Sequence, residues 1–191
     1  MNLHKLATLI SYIFFPMWLL PVSIYLLLNQ IDPTAAGVVM TLMIILVLLP
    51  VMTLLLLLIR SGIIKNLDIH ERQNRNVINF MALFCGTLLL LLLRDWGLTE
   101  QFIIFLIFFL AAAVLALVTL FWKISVHTAS ITLFSLILVN YLGKFQIIPL
   151  VLIPVVAWAR VYRKNHTLSE VLGGIVLSSV IIYLVITLQI I

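Results

Sequence analysis

The sequence predicts an all-α polytopic membrane bundle of six to seven transmembrane helices, on three observations. Hydrophobic residues fill 65% of the 191 positions and charged residues 9%, whereas a soluble domain is about half apolar and about a quarter charged. The apolar residues fall into runs of roughly the length, about 20 residues, that crosses a bilayer. The polar residues gather in short connections between those runs. A water-soluble fold has too little interior for this much Leu, Ile, Val and Phe, and the remainder would form one exposed apolar surface. The chain reads as a single integral membrane domain, 1–191, with no stretch long enough for a separate soluble domain.

Seven segments follow in order. The first, about 7–28, comes after a short basic start (His4, Lys5); it is too long for a signal peptide and lacks a small-x-small cleavage site, so it reads as a span. The second covers about 36–59, the third about 77–93 and the fourth about 101–122. The fifth, about 126–142, is short and carries several polar residues; the sixth, about 146–159, contains Pro149 and Pro154. Both are shorter than a comfortable span, which suits helices buried among others, where neighbours satisfy carbonyls freed by proline. The seventh covers about 168–190. The lone cysteine, Cys85, excludes an intramolecular disulfide and reads as a small core residue.

Net charge is +5, from 11 Lys and Arg against 6 Asp and Glu. The bases lie in loops between spans, which points to topology and anionic headgroups and away from nucleic acid. With seven spans, the N-terminus and the loops at 60–76, 122–127 and 159–170 share one side. That side holds Lys5, Arg60, Lys65, Arg72, Arg75, Lys123, Arg160, Arg163 and Lys164, against Arg94 and Lys144 opposite. By the positive-inside rule the richer side is cytoplasmic, and reserving Lys65, Arg72, Lys123 and Arg160 for a substrate leaves the bias in place. Lys123, Arg163 and Lys164 are expected to face headgroups, and Trp18, Trp96, Trp122, Trp158 and Tyr162 to serve partly as interface anchors.

Three polar stretches on that face carry the chemistry. Lys65 and Arg72 stand seven residues apart, Ser125 and His127 open the fifth segment, and Arg160, His166 and Glu170 precede the seventh. Charges at a membrane boundary are costly and default to function. On a helix beginning near Thr167, His166 and Glu170 lie one turn apart, and a carboxylate on one ring nitrogen fixes the tautomer and raises the basicity of the other. Cations to hold phosphate oxygens, one histidine to attack and another to protonate the leaving oxygen suit phosphoryl transfer. Asp68, His70 and Glu71 have the side chains of a divalent-ion site, but the adjacent bases would repel a cation.

These stretches resemble the motifs of the type 2 phosphatidic acid phosphatase family: Lys-x6-Arg-Pro, Pro-Ser-Gly-His and Ser-Arg-x5-His-x3-Asp. Here they read Lys65-x6-Arg72-Gln73, Ile124-Ser125-Val126-His127 and Ala159-Arg160-x5-His166-x3-Glu170, followed by Gly173 and Gly174. The resemblance covers about 60–190 and leaves the first two spans outside the motifs. It implies that His166 is the nucleophile that forms a phosphohistidine, that Glu170 orients it and that His127 is the general acid. Lys65, Arg72, Arg160 and Ser125 would bind phosphate, with no metal and no cofactor. Gln73, Ile124, Val126, Ala159 and Glu170 depart from the pattern; these alter the supporting frame and leave each residue type with a direct chemical role in place.

The expected function is therefore hydrolysis of a lipid phosphomonoester or pyrophosphate in a bacterial inner membrane. Candidate substrates are phosphatidylglycerol phosphate, phosphatidic acid, a polyprenyl diphosphate and a phosphorylated lipid A. A non-enzymatic lipid binder or flippase is the alternative, and a phosphotransferase with an acceptor other than water a third. Channel function fits poorly, since the charges cluster at one interface and do not line a path across the middle.

Overall fold

The computed structural model describes residues 2–64, 69, 72–141 and 147–187. These residues form helices without a strand: α1 (Leu3–Ile13), α2 (Pro16–Ile31), α3 (Pro33–Met43), a π-helical turn (Ile44–Leu48), α4 (Leu49–Arg60), α5 (Arg72–Asp95), α6 (Thr99–Phe121), α7 (Val126–Tyr141), α8 (Ile147–Tyr162) and α9 (Leu168–Thr187). The all-α expectation holds. Among the described residues four helices are long and apolar enough to cross a membrane, or five if the bent pair α1–α2 counts as one span. The described parts of α7 and α8 are shorter apolar helices.

Prolines explain both irregularities of the N-terminal half. The first span breaks by 45° between Ile13 and Pro16. A residue before proline is pushed out of the helical region, which falls on Phe15, and Phe14 already has φ −99° and ψ 39°. Trp18 Nε1 donates to the Ile13 carbonyl left over at the break. In the second span Pro50 has no N–H for the Leu46 carbonyl, and the ladder shifts ahead of it into one π turn, with Leu49 N–H donating to Ile44 O. The helix starting at Pro33 is capped by Asp32, whose Oδ1 accepts from Thr34 N and Ala35 N.

The chain divides into two compact units: residues 1–23 with 122–191, and residues 24–121. In the second unit α5 packs on α6, with Asn79 Nδ2 donating to Thr119 Oγ1 and Gly86 admitting the Phe109 ring. In the first unit α7 packs on both α8 and α9, and α1 packs on α8. A core of Leu19, Ile131 and Val156 joins α2, α7 and α8.

The polar residues that mark α7 in the sequence are buried, as are Ala129, Ile131 and Leu133 between them. Thr128, Ser130, Thr132 and Ser135 are all fully buried. Thr132 Oγ1 donates to Thr128 O, and Thr128 Oγ1 reaches Val171 O of α9 at 3.2 Å. Small residues at such a crossing let two backbones approach closely. At Gly174 a Cβ would sit 2.6 Å from Ser125 O and 2.7 Å from Thr128 Oγ1. Gly174→Ala is therefore expected to push α9 off α7 and to destabilise the protein by about 1–3 kcal/mol; thermal unfolding in detergent reads this, and an unchanged midpoint would contradict the contact.

Candidate active site

The site is built where α8 ends and α9 begins. The last turn of α8 carries Arg160, 3% exposed, so the helix runs further than expected and takes this residue with it. Beyond it Lys164 adopts φ +56°. Lys164 N donates to Val161 O and Asn165 N to Arg160 O, which is a Schellman closure with Lys164 at the left-handed position. His166 N also donates to Arg160 O, at 3.4 Å, so the carbonyl of one site residue steers the backbone of another. The ends of α4 and α5 place Gly62 and Gly97 at the positive-φ position instead, at φ +75° and +70°. Lys164→Gly should relieve the left-handed strain and stabilise the protein by about 1 kcal/mol, seen as a higher unfolding midpoint.

The start of α9 is a capping box. Glu170 N donates to Thr167 Oγ1 at 3.3 Å, and Thr167 N donates to Glu170 Oε2 at 3.1 Å. The same Oε2 lies 3.0 Å from His166 Nδ1, with His166 8% and Glu170 16% exposed. Glu170 thus caps the helix and orients the histidine with one oxygen. An ionised carboxylate only accepts, so Nδ1 carries the hydrogen and Nε2 presents its lone pair.

The His166 imidazole is held well below its ordinary value, to about 4. Burial is the largest cause; the Arg160 guanidinium and then the Lys123 ammonium add to it, and Glu170 opposes it. At neutral pH the ring is uncharged, and its contact with Glu170 is a hydrogen bond and not an ion pair.

The connection between α6 and α7 lies along this first turn. Ser125 N donates to Glu170 O at 3.0 Å, and Ser125 Oγ accepts from Thr128 N at 3.4 Å, capping α7. The hydroxyl hydrogen of Ser125 remains available for donation. His127 follows on α7, 7% exposed, with its ring 5.5 Å from that of Phe15 in an edge arrangement.

His127, Ser125, Arg160, His166 and Glu170 all belong to the first unit, where Ser125 is bonded to Glu170, Arg160 to the His166 loop, and His166 to Glu170. Of the other phosphate-binding candidates, Lys65 lies outside the described residues, and Arg72 is described only as the backbone start of α5. Asp68, His70 and Glu71 also lie outside them.

Phe15 was not anticipated in the site, and Lys123 was set aside for a substrate only in the charge count. Phe15 comes from the N-terminal span, which lies outside the motifs; the signal was Pro16, next to the break at which Phe15 meets His127 of α7 and Trp18 packs on Phe15. Lys123, expected to face headgroups, is half-buried and donates from Nζ to Asn165 O at 2.9 Å. Its place two residues before Ser125 was the only sequence signal.

Residues 119–190 match the family model described as the PAP2 superfamily, a segment holding Lys123, Ser125, His127, Arg160, His166 and Glu170. Comparison with curated proteins and with solved structures gives no match.

Proposed function

From the match of residues 119–190 to the PAP2 superfamily model, we propose that the chain is a membrane lipid phosphate phosphatase or diphosphatase working through a phosphohistidine on His166. The observation that carries this reading is the buried His166 ring, bonded through Nδ1 to Glu170 at 3.0 Å, with the Arg160 charge acting on it. A buried, oriented imidazole with a free Nε2 next to fixed positive charge is what attack on a phosphate ester requires.

In this reading Nε2 attacks phosphorus in line. The bond from phosphorus to the bridging oxygen breaks as the N–P bond forms, and His127 gives its proton to the leaving oxygen. The leaving group is the lipid alcohol from a monoester, or the lipid monophosphate from a diphosphate. Glu170 stabilises the positive imidazole that results. Water then attacks the phosphohistidine, His127 takes its proton, the N–P bond breaks and orthophosphate departs. Arg160 and the Ser125 hydroxyl hold the non-bridging oxygens, and the motif resemblance alone assigns the same task to Lys65 and Arg72, so side-chain charge does the work a metal ion does in other phosphatases. The lipid stays in the bilayer with its phosphate at the interface, on the cytoplasmic side by the charge bias.

The test is orthophosphate release in detergent–lipid micelles containing EDTA, across phosphatidylglycerol phosphate, phosphatidic acid, a polyprenyl diphosphate and a phosphorylated lipid A. Turnover with a covalent phosphoryl enzyme, stable in alkali and labile in acid, is expected. A well-folded protein that releases phosphate from none of them overturns the enzyme reading in favour of lipid binding or flipping.

A further inference from the structure

Resting on the reading of His166 as nucleophile, we infer that Lys123 is a further phosphate-binding residue of this site, with Asn165 as its companion donor. Two independent observations meet here. The Lys123 side chain, on the connection before α7, folds back on the protein, and its Nζ donates to the carbonyl of Asn165, one residue ahead of the nucleophile. An ammonium has three N–H groups, and this bond uses one. Asn165 itself is 7% exposed, and its Nδ2 is buried with no hydrogen-bond partner among the described residues. A buried amide N–H2 left unsatisfied is costly, and the ligand that relieves it is an acceptor.

The electrostatics of the pocket point the same way. The charged groups acting on His166 are Arg160 from the end of α8, Lys123 from the connection before α7 and Glu170 from the first turn of α9. Two cations and one carboxylate leave a surplus positive charge in a place where burial makes it expensive. An anion with several acceptor oxygens offsets that charge and satisfies both the ammonium and the Asn165 amide. A lysine serving only membrane headgroups would extend into them and leave the His166 ring untouched.

The test compares wild type with Lys123→Gln, which keeps a donor for Asn165 O but removes the charge, and with Lys123→Arg. Inhibition by inorganic phosphate and the pH profile of kcat/KM are read with one lipid substrate, beside unfolding in detergent. Lys123→Gln should weaken phosphate inhibition about tenfold or more, the size of one charged hydrogen bond. It should also move the acidic limb of kcat/KM to somewhat higher pH, since one of the two cations that depress the His166 imidazole is gone, while burial and Arg160 remain and Lys123→Arg stays within about threefold. Removing a nearby exposed charge by Lys164→Gly should leave both readings unchanged. Phosphate inhibition and an acidic limb identical to wild type in Lys123→Gln overturn the inference, whatever happens to stability. If the wild type hydrolyses no lipid phosphate, calorimetric titration with orthophosphate still decides: weaker binding to Lys123→Gln supports the inference, and equal binding overturns it.

Discussion

His166→Ala is expected to reduce phosphate release by about 10³-fold or more, because it removes the Nε2 lone pair that forms the N–P bond. The protein should still fold. The bond from His166 to Arg160 O is made by the backbone N–H, and the capping box needs only Thr167 and Glu170. Lipid phosphate should also still bind, since the cations remain. Loss of turnover and of the acid-labile phosphoryl enzyme, at an unchanged unfolding midpoint, is the predicted combination. Residual turnover above about one part in a hundred would require a different nucleophile.

The same residue sets a pH signature. An unperturbed histidine would begin to lose its lone pair near pH 6.5, but His166 is held to about 4. Its contribution to the acidic limb of kcat/KM should therefore lie near pH 4 in the wild type. The sign for stability follows from a folded value below the unfolded one: the contribution is fully present above about pH 6.5 and is lost as pH falls through about 4. Unfolding midpoints taken from pH 7 down to pH 4 should fall, and His166→Ala should flatten part of that fall.

Glu170→Gln is expected to be the second largest effect, lowering kcat by about 10²-fold. The amide oxygen can still accept from Thr167 N and from His166 Nδ1, so the cap and the ring position survive. What disappears is the negative charge that stabilises the imidazolium as the N–P bond forms. Glu170 opposes the depression of His166, so its loss should send the His166 contribution to still lower pH. Lys123→Gln is expected to move it the other way. Opposite displacements of the acidic limb by two neutralising substitutions in one pocket would be hard to obtain from a general loss of stability. A Glu170→Gln enzyme with wild-type kcat would remove Glu170 from the reaction and leave it as a helix cap.

The membrane bundle and much of the candidate site were legible in the residues themselves. Composition excludes a soluble fold whatever the packing, since no interior is large enough for so much apolar surface. The spacing of His166 and Glu170 is a helical turn, and Thr-x-x-Glu is a local signal, so their hydrogen bond follows from sequence separation alone. The start of α3 at Asp32-Pro33 and the stop of α5 at Gly97 are local in the same sense.

What only the tertiary structure decided depends on partners distant in the chain. The first span breaks at Phe15 because of Pro16, but that Phe15 then meets His127 is a matter of how α1 and α2 pack in their unit. The polar residues of α7 could be placed inside only once α9 was there to receive Thr128 and to bring Gly174 against Ser125. Arg160 and Lys123 look like any loop-end bases in a list of charges. Burial and a contact 42 residues away make one a buried neighbour of the nucleophile and the other its backbone tether. Local periodicity and capping are written in adjacent residues, whereas desolvation is a property of everything that packs around a group.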